Sequence, residues 1–168
     1  MKQAFRINRG LGAGQYRLAD IFPDIGTYAV LSSIFADADE RDRVIVRTRV
    51  FLVDTLKEIF VSNDDGSITI GLAHLRNTSD EFLYLDIIHE LCHVKQHFEG
   101  RNLYDRSKAY VDRETEIEAY ELTLREARRM QMNEETISNY LLVSWITPEE
   151  HRRLAARLKV AGFPPEGD

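Results

Sequence analysis

The chain has 168 residues, of which 43% are hydrophobic and 30% charged, ordinary proportions for a soluble globular protein. This length fits one domain with a sizeable core, or two small lobes that share a cleft. The net charge of -6, with both signs interspersed, argues against nucleic acid or an anionic membrane surface as the main partner. The single cysteine, Cys92, excludes an intrachain disulfide.

The N-terminal residues contain no apolar signal core, and no run approaches the roughly 20 apolar residues that a membrane span needs. We therefore expect a cytoplasmic protein without a membrane partner. The oligomeric state is not indicated by any pattern in the sequence.

The first part of the chain is predicted to contain short strands and two helices. Residues 4–7 and 16–18 are predicted as strands, and an apolar helix is predicted over residues 25–36. Between residues 40 and 60 the apolar positions follow a helical period, which favours one long helix packed behind the site. The β-branched residues within 44–53 leave a strand open as the alternative.

A turn then leads into a predicted strand over residues 67–73, whose polarity alternates at its start. This strand could bind an extended substrate as an added edge strand, or it could be a core strand. A helix of about five turns follows over residues 77–100. Thr78 begins a capping-box pattern, and Gly100 is a natural stop.

The segment His89-Glu90-Leu91-Cys92-His93 within this helix has the pattern of a catalytic zinc site. His89 and His93 lie one turn apart on the same side, so both imidazoles can reach one tetrahedral zinc ion. Glu90 lies too far round the helix to bind the same ion easily, but it can take a proton from a metal-bound water. Cys92 is interpreted as a small buried residue.

The remaining chain is predicted to be helical after a connector. A second long helix is predicted over residues 112–132, and Asn133 could cap a short helix that reaches residue 142. Thr147 and Pro148 open a last helix that ends near residue 160. The buried stripe of the long helix consists of residues at helical spacing: Ile117, Tyr120, Leu124 and Ala127.

A catalytic zinc ion usually has three protein ligands and one open position, so a third ligand is required. His97 continues the face of His93, but three ligands in a row on a straight helix cannot converge on one ion. Glu99 lies six residues after His93, where a metzincin-type site has its third ligand. Such sites break the helix with a glycine where this chain has Gln96. Stronger candidates form an acidic face on the second long helix: Glu114, Glu118 and Glu121.

The HELCH segment, followed 25 residues after His93 by Glu118-Ala119, resembles the gluzincin metallopeptidases, and most of all the minigluzincins. The resemblance covers roughly residues 67–129. It implies a single domain over residues 1–168. The implied class is α+β, mainly α, with a zincin-like fold: a small N-terminal sheet, an HExxH helix and a glutamate helix. Residue 122 departs from the pattern, because thermolysin-type gluzincins often have an acidic residue at this position and this chain has leucine.

By this resemblance Zn2+ is held by His89, His93 and Glu118, with Glu114 as the next candidate or as a partner of a zinc histidine. The implied activity is hydrolysis of peptide bonds in a peptide or protein substrate, with Glu90 as the base. The candidates for an oxyanion-stabilising group are Tyr104, Tyr110 and His151. The alternative function is a zincin-fold regulatory or binding protein with little or no general proteolytic activity. A purely structural zinc site is disfavoured, because such sites usually have four protein ligands.

Overall fold

A computed structural model describes residues 4–163 of the chain. The chain divides into two compact units, Met1–Asn102 and Leu103–Asp168. The single domain expected over residues 1–168 stays a prediction. The fold is α+β and mainly helical with a small sheet, which confirms the predicted class at that level. Within residues 4–163, every helix is too short or too polar to cross a bilayer.

The sheet of the first unit has four strands in the order β1-β2-β4-β3. Strand β2 pairs with β4 in parallel, whereas the two outer pairs are antiparallel. Val50 and Leu52 alternate with more exposed neighbours, and they face the core together with Ile68 and Ile70. The strands are β1 (Gly14–Arg17), β2 (Arg49–Val53), β3 (Ile59–Val61) and β4 (Ile68–Gly71).

Eight α-helices and two short 3-10 turns, Ile25–Thr27 and Tyr110–Asp112, make up the rest of the regular structure in residues 4–163. The helices are α1 (Leu18–Ile21), α2 (Leu31–Ile34), α3 (Ala38–Arg47), α4 (Leu72–Asn77), α5 (Asp80–Phe98), α6 (Glu114–Arg129), α7 (Glu134–Leu141) and α8 (Pro148–Arg157).

The long helix predicted over residues 40–60 is wrong, and the strand alternative within 44–53 is the better prediction. Thr48 ends α3 in an extended conformation, and its hydroxyl donates a hydrogen bond to the carbonyl of Val44 at 2.7 Å. The chain then enters β2, where β-branched side chains pack on a half-buried sheet. Val46 and Val50, the apolar residues on either side of Thr48, are four positions apart, so the helical spacing continues across the boundary although the backbone changes from α3 to β2.

Two further predictions in the first unit need correction. Residues 4–7 form no strand, and the apolar run 25–36 is a 3-10 turn and the short α2 instead of one helix. Tyr28 interrupts this run in an extended conformation. Its buried ring contacts Phe5 and Tyr84 edge to face, at centroid distances of 6.2 and 4.9 Å. Tertiary packing of this aromatic cluster therefore overrides the local helical pattern.

The strand predicted over residues 67–73 ends at Gly71, because α4 begins at the next residue. It is a core strand: β4 lies between β2 and β3, so it offers no edge to a substrate. Gly71 is required there because a Cβ would lie 2.1 Å from the carbonyl oxygen of Leu56. Its own amide donates to the carbonyl of Glu58 at 2.7 Å.

The HExxH helix begins later than predicted. Ser79, not Thr78, caps α5 by accepting a hydrogen bond from the amide of Phe82 at 3.3 Å. At the other end the helix stops as predicted at Gly100, whose φ of 78° completes a Schellman motif with Arg101. Twelve of the nineteen residues of α5 are buried, so this helix runs through the core of the first unit and packs against β3 and α2.

The second unit confirms the predicted helices with shifts of a few residues at their ends. Asn133 caps α7, and Thr147 with Glu150 forms the capping box of α8. The predicted stripe of α6 is buried, as Ile117, Tyr120, Leu124 and Ala127 show at most 4% exposure. The buried arc of α6 is wider than predicted, because it also includes Thr115, Glu116, Ala119, Thr123 and Glu126.

Candidate metal centre

The helix α5 directs two buried imidazoles at one point. His89 and His93 are 5% and 6% exposed, and their Nε2 atoms lie 3.0 Å apart with the ring planes at 84°. Either one ring donates its hydrogen to the other, or both nitrogen lone pairs face a shared cation. Two nitrogens bound to one tetrahedral zinc ion lie roughly 3.3 Å apart, so the observed pair is close to the spacing that a metal needs.

Gln96 fixes the orientation of the second histidine. Its Oε1 lies 2.8 Å from Nδ1 of His93, and its side chain is buried at 4% exposure. A carbonyl oxygen can only accept, so Nδ1 of His93 carries the hydrogen and Nε2 is left as the basic nitrogen. This is how metal-binding histidines are usually held. This contact of Gln96 was not predicted from the sequence, where Gln96 is notable only because it stands in place of a helix-breaking glycine.

One buried glutamate joins the two histidines. His89, His93 and Glu116 each offer a ligand atom, and these atoms all lie within 4.8 Å of one another. Glu116 is 5% exposed and lies in the first turn of α6. A buried carboxylate is costly unless it is paired, hydrogen-bonded or bound to a cation. This group of three could hold a metal ion.

The structure does not bring the expected third ligand, Glu118, into this group. Glu118 and Glu114 both lie on the exposed side of α6, and the Glu114 carboxylate is 3.7 Å from Arg157 and 3.9 Å from Lys108. Residues that are two positions apart on a helix point in directions about 200° apart, so Glu116 and Glu118 face nearly opposite sides of α6. The metal-ligand role of Glu118 remains a prediction for experiment.

A signal for Glu116 was present in the sequence. Ala119 and Thr123 follow it at helical spacing and are buried at 0% exposure, so the three residues share one buried face. The predicted stripe did not include Glu116, because it followed the apolar residues Ile117, Tyr120, Leu124 and Ala127 and left out the small residues beside them. Small side chains on this face leave room for a carboxylate below the surface of the unit.

Glu90 is buried at 6% exposure, and it follows His89 directly on α5. It is not part of the three-residue group. Its role as the catalytic base stays a prediction. Consecutive residues on a helix differ by about 100° in direction, so its carboxylate leaves α5 beside the ligand face instead of on it.

The other residues considered on α5 have different surroundings. Glu99 is exposed at the end of the helix, 3.7 Å from Lys95, and the helix continues through Gln96 without a break. The His97 ring packs closely on Gly66, in the turn before β4. A Cβ added at Gly66 would lie only 2.7 Å from this ring. Cys92 is buried, as expected, and forms no disulfide.

The three oxyanion candidates differ in their contacts. His151 is held by the carbonyl of Ser138, 2.9 Å from its Nε2, which favours a structural role. The hydroxyl of Tyr110 lies 2.8 Å from that of Tyr120, one helical turn after Glu116. Tyr104 is 40% exposed. A catalytic role of either Tyr104 or Tyr110 stays a prediction.

Comparisons of the chain with protein-family models, with curated proteins and with solved structures found no match. The functional assignment therefore depends on the residues of the site themselves.

Proposed function

We propose that this protein is a zinc-dependent metallopeptidase that hydrolyses peptide bonds in a peptide or protein substrate. The observation that supports the proposal is the buried group His89, His93 and Glu116, with ligand atoms within 4.8 Å of one another. Two neutral imidazoles and one carboxylate form the ligand set of catalytic zinc sites with an open fourth position. A structural zinc site would usually have a fourth protein ligand, and no fourth member joins this group among the described residues.

A zincin-like fold is part of the proposal. A small sheet precedes the HExxH helix α5, and the candidate glutamate lies on the later helix α6. This order of sheet, histidine helix and glutamate helix is the one that the gluzincin resemblance implies, with Glu116 in the place that was expected for Glu118.

Each side chain of the site then has a defined task. A zinc ion at this site would act as a Lewis acid that polarises a carbonyl group and lowers the pKa of water toward neutrality. His89, His93 and Glu116 would hold the ion, and Gln96 keeps His93 in the tautomer whose Nε2 can act as a ligand. The Glu90 carboxylate accepts a proton from the attacking water and returns it to the departing amine nitrogen. Glu90 is buried and directly follows the candidate ligand His89 on α5, which supports this task.

The substitution Glu90→Gln tests the proposal. We expect the variant to keep its zinc and its fold and to lose hydrolysis by about 100-fold or more, because the amide cannot accept the proton. Zinc content is measured by elemental analysis, folding by thermal unfolding, and hydrolysis by digestion of a broad peptide library. Glu99→Gln, at the exposed end of the same helix, is the matched control and should cleave like the unchanged chain.

An unchanged rate in Glu90→Gln would remove Glu90 from the mechanism. A zinc-loaded protein that cleaves no member of the library would favour the alternative, a regulatory or binding protein with the same fold.

A further inference from the structure

The second unit has an exposed aromatic surface around one arginine. This aromatic–arginine surface consists of Tyr104, Tyr110, Arg113 and Trp145. Tyr104 is 40% and Trp145 49% exposed, which is unusual for such large side chains. The ring of Trp145 meets that of Tyr110 edge to face, with centroids 5.6 Å apart. Tyr110 is held in place by the hydroxyl of the buried Tyr120, 2.8 Å from its own.

Arg113 lies between two of these rings. Its guanidinium carbon is 6.0 Å from the centroid of Tyr104 and 6.0 Å from that of Tyr110. Its Nε donates a hydrogen bond to the carbonyl oxygen of Asp105 at 3.2 Å, which leaves the two terminal amino groups for another partner. These contacts orient the guanidinium before any ligand binds.

The acidic residues near Arg113 in the sequence are engaged elsewhere. Asp112 pairs with Arg153 at 2.7 Å, and the Glu114 carboxylate lies 3.7 Å from Arg157. The Asp105 carboxylate accepts hydrogen bonds from the amide and the hydroxyl of Ser107, at 2.9 and 2.6 Å. Among the described residues, Arg113 has no carboxylate within ion-pair distance. Hydrogen bonds from Ser107, and then the charges of Lys108 and Arg113, hold the pKa of Asp105 below its usual range, so Arg113 acts on this carboxylate without forming an ion pair with it.

We propose that the aromatic–arginine surface is a substrate-recognition subsite for a peptide segment with an acidic side chain next to a large apolar one. This inference rests on the proposed peptidase function. A planar guanidinium binds a carboxylate through two parallel hydrogen bonds, and the aromatic rings bind apolar side chains with little loss of conformational freedom. Arg113 is the residue immediately before α6 and precedes Glu116 by three residues, which is about 4.5 Å along the helix axis.

Trp145 is the only tryptophan of the chain, so its fluorescence reports directly on this surface. The experiment uses the full chain with Glu90→Gln, so that bound peptides are not cleaved. Three short peptides are titrated, with Glu-Phe, Gln-Phe or Glu-Ala at the centre of an otherwise identical sequence. We expect a saturable change in Trp145 fluorescence with the Glu-Phe peptide, and a dissociation constant about tenfold higher for each of the other two.

Variants at Arg113 test whether this residue causes the preference for the acidic peptide. Arg113→Gln, made in the Glu90→Gln chain, should abolish the preference for Glu-Phe over Gln-Phe, whereas Arg113→Lys should keep part of it. Arg106→Gln is the matched control, because Arg106 is an exposed arginine in the same connector, and this variant should keep the full preference. Thermal unfolding of each variant checks that the second unit is folded.

Equal dissociation constants for the Glu-Phe and Gln-Phe peptides would overturn the proposal, and this comparison needs no variant at Arg113. An absence of any fluorescence change, or an equal loss of preference in Arg106→Gln, would also overturn it. The binding readout does not depend on catalysis. A charge-dependent Trp145 response in a chain whose unmodified form cleaves nothing would refute the peptidase proposal and retain the surface as a peptide-binding site.

Discussion

The substitution Gln96→Leu should weaken metal binding without touching a metal ligand. Gln96 accepts the hydrogen bond from Nδ1 of His93 at 2.8 Å, inside a part of the first unit where its side chain is 4% exposed. Leucine keeps the volume but cannot accept, and burial prevents water from replacing the oxygen freely. Nδ1 of His93 then keeps an unsatisfied hydrogen, and the tautomer with a hydrogen on Nε2 becomes competitive.

The expected loss of zinc affinity can be estimated from the hydrogen bond between Gln96 and His93. A buried polar group left without its partner costs about 1–3 kcal/mol, and a residue that orients a metal ligand typically contributes 10–100-fold in metal affinity. We therefore expect zinc affinity to fall by about 10–100-fold in Gln96→Leu, whereas Gln96→Glu should bind zinc as tightly as the unchanged chain or more tightly, because a carboxylate accepts a stronger hydrogen bond.

The assay is a competition titration of zinc against a chromophoric chelator, with the melting temperature of each metal-free variant as a folding control. Unchanged zinc affinity in Gln96→Leu would refute the reasoning that Gln96 sets the tautomer of His93. A loss in Gln96→Glu as large as in Gln96→Leu would attribute the effect to general disruption of α5.

Two further predictions concern the first unit. Burial, together with the charge of Asp24, raises the pKa of Tyr28 to about 12, so its contribution to stability is complete below the ordinary tyrosine pKa near 10 and is lost as pH rises from there to about 12. Tyr28→Phe should flatten the decline in unfolding free energy over this range, measured by urea unfolding; an identical decline would contradict the assignment. Gly71→Ala should destabilise the protein by about 2–4 kcal/mol, because the new Cβ lies 2.1 Å from the Leu56 oxygen and β4 must shift. Gly26→Ala is its control, since a Cβ there meets nothing within 4 Å, and a loss of similar size in both variants would refute the argument.

The parts of the fold that the sequence predicted well are those with local chemical signals. Capping residues such as Asn133 and Thr147 mark helix starts, and Gly100 marks the end of α5, because these contacts lie within one or two turns of the chain. The run around Tyr28 was predicted wrongly because its conformation is set by the rings of Phe5 and Tyr84, and no local pattern encodes contacts over such separations.

The residues of the candidate site also fall into those with a local sequence signal and those that depend on tertiary contacts. His89, Glu90 and His93 could be identified from the sequence, because their spacing on one helix fixes their relative directions. The candidate third ligand comes from a different helix, and its identity depends on which arc of α6 is buried. The sequence favoured Glu118, whereas the buried arc contains Glu116. Gln96 was missed because a lone glutamine carries no pattern, and its role appears only from the 2.8 Å contact with His93.

The most direct test of the metal centre compares Glu116→Gln with Glu118→Gln by zinc titration against a competing chelator. The two residues lie on the same helix, one buried and one exposed, and the substitution removes one charge with almost no change in shape. We predict that Glu116→Gln lowers zinc affinity by more than about 100-fold, beyond the effect typical of an orienting residue, and that Glu118→Gln leaves it nearly unchanged. A deeper loss in Glu118→Gln, or full zinc affinity in Glu116→Gln, would contradict the assignment of His89, His93 and Glu116 as the metal centre.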